Sequence, residues 1–164
     1  MEVKDYNSYK YIYPPNTRHQ EQLDIMMRDE YQDRDSFAPE YLENKTLFVT
    51  EYWDVSENKF PYEGADKQFI IIARQPVYNM TDLTPEMWQE FQVIIDRLTK
   101  EYELKGGAFC MRYGDPARSG ASMKRLHAHV IMPAANTKVK FSIGGKSELK
   151  EGLVIKTPEE LGIE

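Results

Sequence analysis

Two histidines separated by a single residue are the part of this sequence best suited to chemistry. They belong to the run Arg-Leu-His-Ala-His at positions 125–129, which continues into apolar residues. Because successive side chains of a β-strand point to opposite faces, an extended segment presents Arg125, His127 and His129 on one face, with steps of about 7 Å. The alternate positions are apolar, which predicts that the other face packs in the core.

A neutral imidazole is a nucleophile near physiological pH, because the unperturbed pKa of histidine is about 6.5. A neighbouring cation such as Arg125 or a protonated His129 would favour the neutral form of His127. The same cations, together with backbone amides of a glycine-containing loop, would stabilise charge on a phosphoryl group. Attack by His127 would give a covalent histidine intermediate, which water or another acceptor then resolves.

The two histidines alone also fit other kinds of site. A metal-binding pair and a structural or exposed pair both satisfy the same spacing. A catalytic zinc would need a third ligand, and no carboxylate lies on this strand to supply it. We therefore expect no metal among the site residues.

The distribution of charge favours a small anionic ligand. The net charge is −6, whereas binding of a nucleic-acid polymer needs a broad basic surface. Between positions 112 and 125 there are nevertheless four cations and one acid, Asp115. This pattern predicts a locally positive pocket on an acidic body, with a solvated charged loop as the alternative.

Length and composition predict one domain with an N-terminal extension. The chain has 164 residues; we assign 1–44 to the polar extension and 45–164 to the domain. The first residues lack the basic and apolar regions of a secretory signal, and no apolar run is long enough for a membrane span, so we predict a cytoplasmic protein. The single cysteine, Cys110, excludes a disulfide within the chain and is expected to be structural.

Local patterns predict an α+β domain, with a mostly antiparallel sheet of about five strands and one long packed helix. Thr84 and Pro85 begin the helix, which extends to Leu104. Its predicted apolar stripe consists of Trp88, Phe91, Ile95, Leu98 and Tyr102. A weaker helical pattern runs from His19 to Met27. The predicted strands lie at 46–55, 69–73, 108–113 and 126–132, with a further hairpin at 139–143 that turns at Gly144-Gly145.

The region around the two histidines resembles the histidine triad (HIT) superfamily. Residues 120–131, Gly-Ala-Ser-Met-Lys-Arg-Leu-His-Ala-His-Val-Ile, resemble its signature, a His-φ-His-φ-His-φ-φ core preceded by a glycine and a Ser or Thr. The segment 114–116, Gly-Asp-Pro, resembles the preceding loop of the dinucleoside polyphosphate hydrolase branch. Residues 58–62, Asn-Lys-Phe-Pro-Tyr, resemble the family's nucleoside-binding turn. The similarity extends over roughly residues 46–145.

This resemblance implies roles for individual residues. His127 occupies the position of the nucleophile, and His129 that of a contact to the phosphate oxygens. Ser122 would donate to the same phosphate, and Asn58 would hold the ribose hydroxyls. For Ser122 and Asn58, a hydrogen bond within the local loop or turn is the structural alternative.

The loop at Gly114 and Asp115 would lie beside the phosphates.

Two positions depart from the family pattern. Arg125 replaces the first histidine of the triad, and because a guanidinium cannot accept a proton or change tautomer, it could only clamp a phosphate. Lys67-Gln68 stands where related sequences often carry a histidine.

The resemblance implies a nucleotide hydrolase or transferase that acts at the α-phosphate of a dinucleoside polyphosphate or nucleoside phosphoramidate. No cofactor is required, although Mg²⁺ could accompany the substrate. The expected partner is a small nucleotide rather than a nucleic acid or a membrane, and a homodimer is compatible with the sequence. The alternatives are a nucleotide-binding module with little or no turnover, and a metal site formed by His127 and His129.

Overall fold

The computed structural model describes residues 5–164, which form three α-helices and five β-strands. In chain order these are α1 (Gln20–Tyr31), β1 (Thr46–Val49), β2 (Trp53–Glu57), β3 (Ala65–Ala73), α2 (Pro85–Glu101), β4 (Ala108–Arg112), α3 (Pro116–Ser119) and β5 (His127–Pro133). The chain divides into two compact units. The sheet unit comprises residues 43–112 and 125–142, and the terminal unit comprises the described residues up to 42 with 113–124 and 143–164.

The sheet unit is built on one five-stranded antiparallel sheet with the strand order β1-β2-β3-β5-β4. The predicted α+β class, with a mostly antiparallel sheet and one long helix, is confirmed. The apolar strand at 69–73 lies at the centre of the sheet, as predicted, but β3 begins earlier, at Ala65. The strand that carries the histidines pairs with β3 on one side and with β4 on the other.

The long helix α2 contributes to the apolar core against one face of the sheet. The Thr84 hydroxyl accepts a hydrogen bond from the Met87 N–H and caps the helix, as predicted. The predicted apolar stripe is partly wrong, because Trp88 is 41% exposed. The helix instead buries residues at steps of four, three and four, namely Met87, Phe91, Ile94 and Leu98. These pack with Leu126, Ala128 and Val130 of the histidine-bearing segment.

The predicted hairpin at 139–143 is wrong. Among the described residues, 134–142 contain neither helix nor strand. This segment contacts side chains of the sheet unit instead of pairing in a β-ladder. Phe141 packs against Tyr62 and His129, and the Ser142 carbonyl accepts hydrogen bonds from Arg112.

The terminal unit has its own small core around α1. Leu23, Met26 and Met27 of this helix pack with Ile12 and Met123, and apolar residues of the C-terminal segment join them. The helix extends beyond the weak pattern that predicted it, from Gln20 to Tyr31. An isolated antiparallel bridge joins Ile12 to Met123. Residues near the N-terminus therefore pair with the segment that precedes β5.

None of the helices among residues 5–164 combines the length and apolar character that crossing a bilayer requires.

Candidate active site

The face of the sheet opposite the α2 core carries the two histidines. Residues paired across an antiparallel ladder share a face, and neighbouring strands lie about 4.8 Å apart. One row of paired residues across the sheet is Asp54, Ile72, His127 and Arg112, and the next row is Ser56, Ile70, His129 and Cys110. The alternation predicted for β5 therefore holds, with its apolar members in the core and its histidines on the other face.

His127 is held in one orientation by its own strand. The imidazole is buried, with 6% exposure, and its Nδ1 lies 2.7 Å from the Arg125 carbonyl oxygen. A carbonyl oxygen only accepts hydrogen bonds, so Nδ1 carries the proton. In the neutral ring the lone pair is then on Nε2, the nitrogen that can act as a nucleophile.

His129 has the opposite arrangement of donors and acceptors. Its Nδ1 lies 3.2 Å from the Asn58 amide nitrogen and 3.3 Å from the Gln68 amide nitrogen. Both amide NH₂ groups donate only, so Nδ1 accepts, and the proton of the neutral ring is on Nε2. The two imidazole centroids are 5.3 Å apart, at an interplanar angle of 76°. The pair thus has one unprotonated Nε2, on His127, and one Nε2–H, on His129.

Two amides that orient His129 come from distant parts of the sequence. Asn58 follows β2, and its Oδ1 also accepts from the Phe60 N–H at 2.9 Å, which caps the turn. Gln68 is buried in β3, and its Oε1 accepts from the Tyr62 N–H at 2.7 Å. The resemblance placed Asn58 in a nucleoside-binding turn, whereas Gln68 was noted only as part of a departure from the family pattern and was given no role. A polar residue beside an otherwise apolar strand was the signal available for it.

Arg125 is buried with 6% exposure, and its guanidinium bonds to backbone. Its Nη1 donates to the carbonyl oxygens of Ala73 at 3.1 Å and Arg74 at 2.9 Å. These are the last residue of β3 and the one that follows it. Arg125 lies two residues before β5, so the prediction that it shares the strand with the histidines is wrong. Where the family signature has a histidine, this chain has a side chain that ties the residues before β5 to the end of β3.

A carboxylate lies in the same row as His127, two strands away. Asp54 is buried, and its Oδ1 accepts from Arg74 Nη1 at 2.9 Å. Its Oδ2 has no hydrogen-bond partner among the described residues. Burial raises the pKa of Asp54, and the charges of Arg74 and Arg125 partly oppose that increase. Sequence patterns gave no indication of this group.

Arg112 lies on the other side of His127 and contacts an aromatic cluster. Its guanidinium carbon is 3.8 Å from the centroid of the Phe141 ring, and its Nη1 lies 3.3 Å from the Tyr62 hydroxyl. Tyr62, Phe141 and His129 form a triangle with centroid separations of 5.6 to 5.8 Å. The histidine face is thus bordered by two aromatic rings and a cation.

Three of the predicted phosphate-binding residues belong to the terminal unit. Gly114 has a positive φ of 76° and precedes Asp115, whose side chain accepts from the Ala117 N–H at 3.0 Å and caps the short helix α3. The Ser122 hydroxyl lies 3.3 Å from the Gln22 amide nitrogen, and its carbonyl accepts from the Tyr13 N–H at 2.7 Å. The Asp115 side chain therefore caps its own local helix, whereas Ser122 forms hydrogen bonds with Tyr13 and Gln22.

Gly120, at the start of the signature, has a conformation that other residues rarely adopt. Its φ is +88°, and a Cβ at this position would lie 2.7 Å from the Gly144 carbonyl oxygen. Both the backbone angle and the close approach require glycine. The loop before Ser122 is thereby packed directly against the start of the C-terminal segment.

No group of three or more His, Cys, Asp or Glu side chains within residues 5–164 is arranged to hold a metal ion. Cys110 is half-buried beside His129 on the sheet, and burial raises the pKa of its thiol.

The sequence matches no protein-family model and no curated protein. Its structure does match solved structures. A histidine triad nucleotide-binding protein from Candida albicans aligns with a TM-score of 0.51 at 15% identity, over 75% of this chain and 84% of that one. A Zn-bound histidine triad family protein from Mycobacterium smegmatis aligns with a TM-score of 0.50 at 15% identity, over 66% and 78% of the two chains.

A Hit-like protein involved in cell-cycle regulation from Bartonella henselae also aligns, with a TM-score of 0.50 at 13% identity, over 64% of this chain and 80% of that one. The chain therefore has the histidine triad fold. At these identities the comparison concerns the fold, and the chemistry must be argued from the side chains.

Proposed function

We propose that the protein is a nucleotide hydrolase or transferase that acts at the α-phosphate of a dinucleoside polyphosphate or a nucleoside phosphoramidate. The observation that carries this proposal is the difference in hydrogen-bond partners at Nδ1, a carbonyl oxygen for His127 and two amide nitrogens for His129, from which opposite tautomers follow. One ring offers a lone pair and the other a proton, both from Nε2, on the same face of one strand. A purely structural pair has no need of this difference.

In the first step, Nε2 of His127 attacks the α-phosphorus. A P–N bond forms, and the bond from phosphorus to the leaving group breaks, so the nucleotide becomes attached to the histidine. The hydrogen bond from Nδ1 to the Arg125 carbonyl stabilises the positive charge that the ring acquires. Burial of the ring limits competition from water at this nitrogen.

In the second step, the oxygen of a water or of another acceptor attacks phosphorus, and the P–N bond breaks with its electron pair returning to Nε2 of His127. The proton of the attacking group passes to solvent. Cleavage of the P–N bond releases the nucleotide and restores His127. Throughout, the Nε2–H of His129 donates to a nonbridging phosphate oxygen, where negative charge increases in the transition state. Asn58 and Gln68 hold His129 in the tautomer that this contact needs.

The remaining predicted contacts complete the proposal. The resemblance implies that Ser122 donates to the phosphate and that the loop at Gly114 and Asp115 lies beside it. Asn58 would hold the ribose in addition to orienting His129. Arg125 acts through the backbone and its buried charge. The reaction needs no cofactor, although Mg²⁺ could enter bound to a polyphosphate substrate. We place the protein in the cytoplasm and regard a homodimer as compatible with the fold.

The direct test is trapping of the covalent intermediate. Protein incubated with α-³²P-labelled diadenosine tetraphosphate or adenosine phosphoramidate is expected to carry an acid-labile, base-stable label on His127. His127→Gln should lose the label and the turnover while retaining AMP binding. His19→Gln, which changes the exposed third histidine, is the matched control and should label normally. Absence of label and of turnover with both substrates would rule out the proposed reaction.

A second candidate is a nucleotide-binding module with little or no turnover. The observation that favours it is Arg125, which replaces the first triad histidine and uses its guanidinium on backbone carbonyls. AMP binding by the wild type without turnover of either substrate would support this candidate.

A further inference from the structure

Arg112 occupies the position on the sheet directly beside His127. The β4–β5 register pairs the two residues, so their side chains lie on the same face. Directly opposed residues have Cβ atoms about 4.5–5.5 Å apart, which is shorter than an extended arginine side chain. A phosphate bound at His127 is therefore within reach of the Arg112 guanidinium.

The present partners of Arg112 are neutral and replaceable. Its Nε donates to the Ser142 carbonyl at 3.1 Å, its Nη2 donates to the same oxygen, and its Nη1 donates to the Tyr62 hydroxyl. A phosphate oxygen carries negative charge, so it accepts from a guanidinium more strongly than a neutral carbonyl or hydroxyl oxygen does, and it can do so in a bidentate arrangement. Ser142 is exposed and lies outside the helices and strands, so its release leaves the sheet intact.

Arg125 is in a different situation. Its donors satisfy the carbonyls of Ala73 and Arg74, and it is buried. Turning toward a phosphate would leave the buried Ala73 carbonyl and the partly buried Arg74 carbonyl without this donor, which is unfavourable. Of the two arginines beside His127, Arg112 is therefore the one that is able to move its charge to a ligand.

We infer that Arg112 is a further catalytic residue of this site. This inference rests on the proposed function. In the transition state, as the P–N bond to His127 forms and the leaving-group bond breaks, the guanidinium donates to one nonbridging oxygen of the α-phosphate. The Nε2–H of His129 donates to another. Arg112 reaches that oxygen by exchanging the Ser142 carbonyl for it, while its stacking on Phe141 keeps the guanidinium plane in place.

The test compares Arg112→Gln and Arg112→Lys with Arg97→Gln, an exposed arginine of the sheet unit that pairs with Glu101. Loss of one donor to transition-state charge reduces kcat by about 100-fold or more. We expect this loss in Arg112→Gln, with KM little changed, and partial recovery in Arg112→Lys or on addition of guanidinium chloride to Arg112→Ala. Arg97→Gln should behave as the wild type.

A stereochemical measurement separates contact with the phosphate from a merely structural role. The Rp and Sp α-phosphorothioates of diadenosine tetraphosphate place sulfur on one or the other nonbridging position. The ratio of their rates should change in Arg112→Gln and stay constant in Arg97→Gln. A kcat within threefold of wild type, or a loss of activity with an unchanged ratio, would overturn the inference.

Failure of the proposed function would have a different signature. If the wild-type protein has no turnover, AMP binding by calorimetry still tests Arg112. Binding weakened about tenfold or more in Arg112→Gln, but not in Arg97→Gln, supports the phosphate contact without catalysis. Unchanged AMP binding in that case rejects Arg112 as a phosphate ligand.

Discussion

His127 and His129 stand with their ring centroids 5.3 Å apart and carry their protons on opposite nitrogens. The difference arises because one Nδ1 contacts a carbonyl oxygen and the other contacts two amide nitrogens. Two residues of the same type, two positions apart, thereby have distinct chemical capacities. Most of the expected behaviour of the site follows from this difference.

The tautomers can be observed directly. We expect long-range ¹H–¹⁵N correlation spectra near pH 8 to show a protonated Nδ1 in His127 and a protonated Nε2 in His129, because each hydrogen-bond partner permits only that assignment. His19→Gln and single replacements of the other two residues assign the signals. The same tautomer in both rings would contradict the arrangement.

Gln68→Glu tests the orientation of His129 with almost no change in shape. A carboxylate cannot donate, so Nδ1 of His129 should take up a proton, and the preference for a single Nε2–H is lost. Because a hydrogen bond contributes about 1 kcal/mol, which corresponds to a factor of about five in rate, we expect turnover of diadenosine tetraphosphate to fall about fivefold. Gln92→Glu adds the same charge on the exposed side of α2 and should leave turnover unchanged. Equal rates in the two variants would exclude this role of Gln68.

Arg125→Met tests whether this arginine stabilises the junction of β5 and β3. The variant removes a charged donor from the buried Ala73 carbonyl and the partly buried Arg74 carbonyl, and we expect the free energy of unfolding to fall by about 1–3 kcal/mol. Urea denaturation measures it. Arg97→Met, at an exposed ion pair, should lose less than about 1 kcal/mol. If Arg125→Met were as stable as Arg97→Met while losing phosphate binding, a direct phosphate clamp would be the better account.

Asp54 should make stability depend on pH. Its pKa in the folded protein is raised above the ordinary value of 3.8, chiefly by burial. The folded state therefore binds more protons than the unfolded state between the two pKa values, and the free energy of unfolding decreases as pH rises through that window.

Asp54→Asn lacks this titration, so wild type should lose stability relative to the variant as pH increases from about 4 toward neutrality. Urea midpoints measured across this range provide the comparison. A wild type that gains stability relative to Asp54→Asn with increasing pH would mean that the ion pair with Arg74 outweighs burial.

The parts of the fold that were predicted correctly follow mainly from the alternation of apolar and polar residues in strands and from capping residues at the start of helices. The apolar positions of β5 and the cap at Thr84 are properties of a few neighbouring residues, and the structure has both as expected. The predicted stripe of α2 shares Phe91 and Leu98 with the observed buried face, but it has Trp88 where the structure buries Met87. Both sets of residues repeat with a helical period, so the sequence pattern alone did not separate them. The segment at 139–143 has a strand-like composition, which led to the wrong hairpin prediction. In the structure Phe141 instead packs against the rings of Tyr62 and His129.

The sequence by itself determined that His127 and His129 share a strand face, because the two-residue period of a strand needs no information about neighbouring strands. It also predicted Arg125 on that face, whereas β5 begins at His127 and Arg125 lies two residues before it. Only the tertiary structure decided what each of them contacts. Gln68 reaches His129, and Arg125 reaches the end of β3, because β3 and β5 are adjacent in one particular register. Strand order and register depend on the packing of the whole sheet, so residues more than fifty positions apart acquired their partners only when the chain folded.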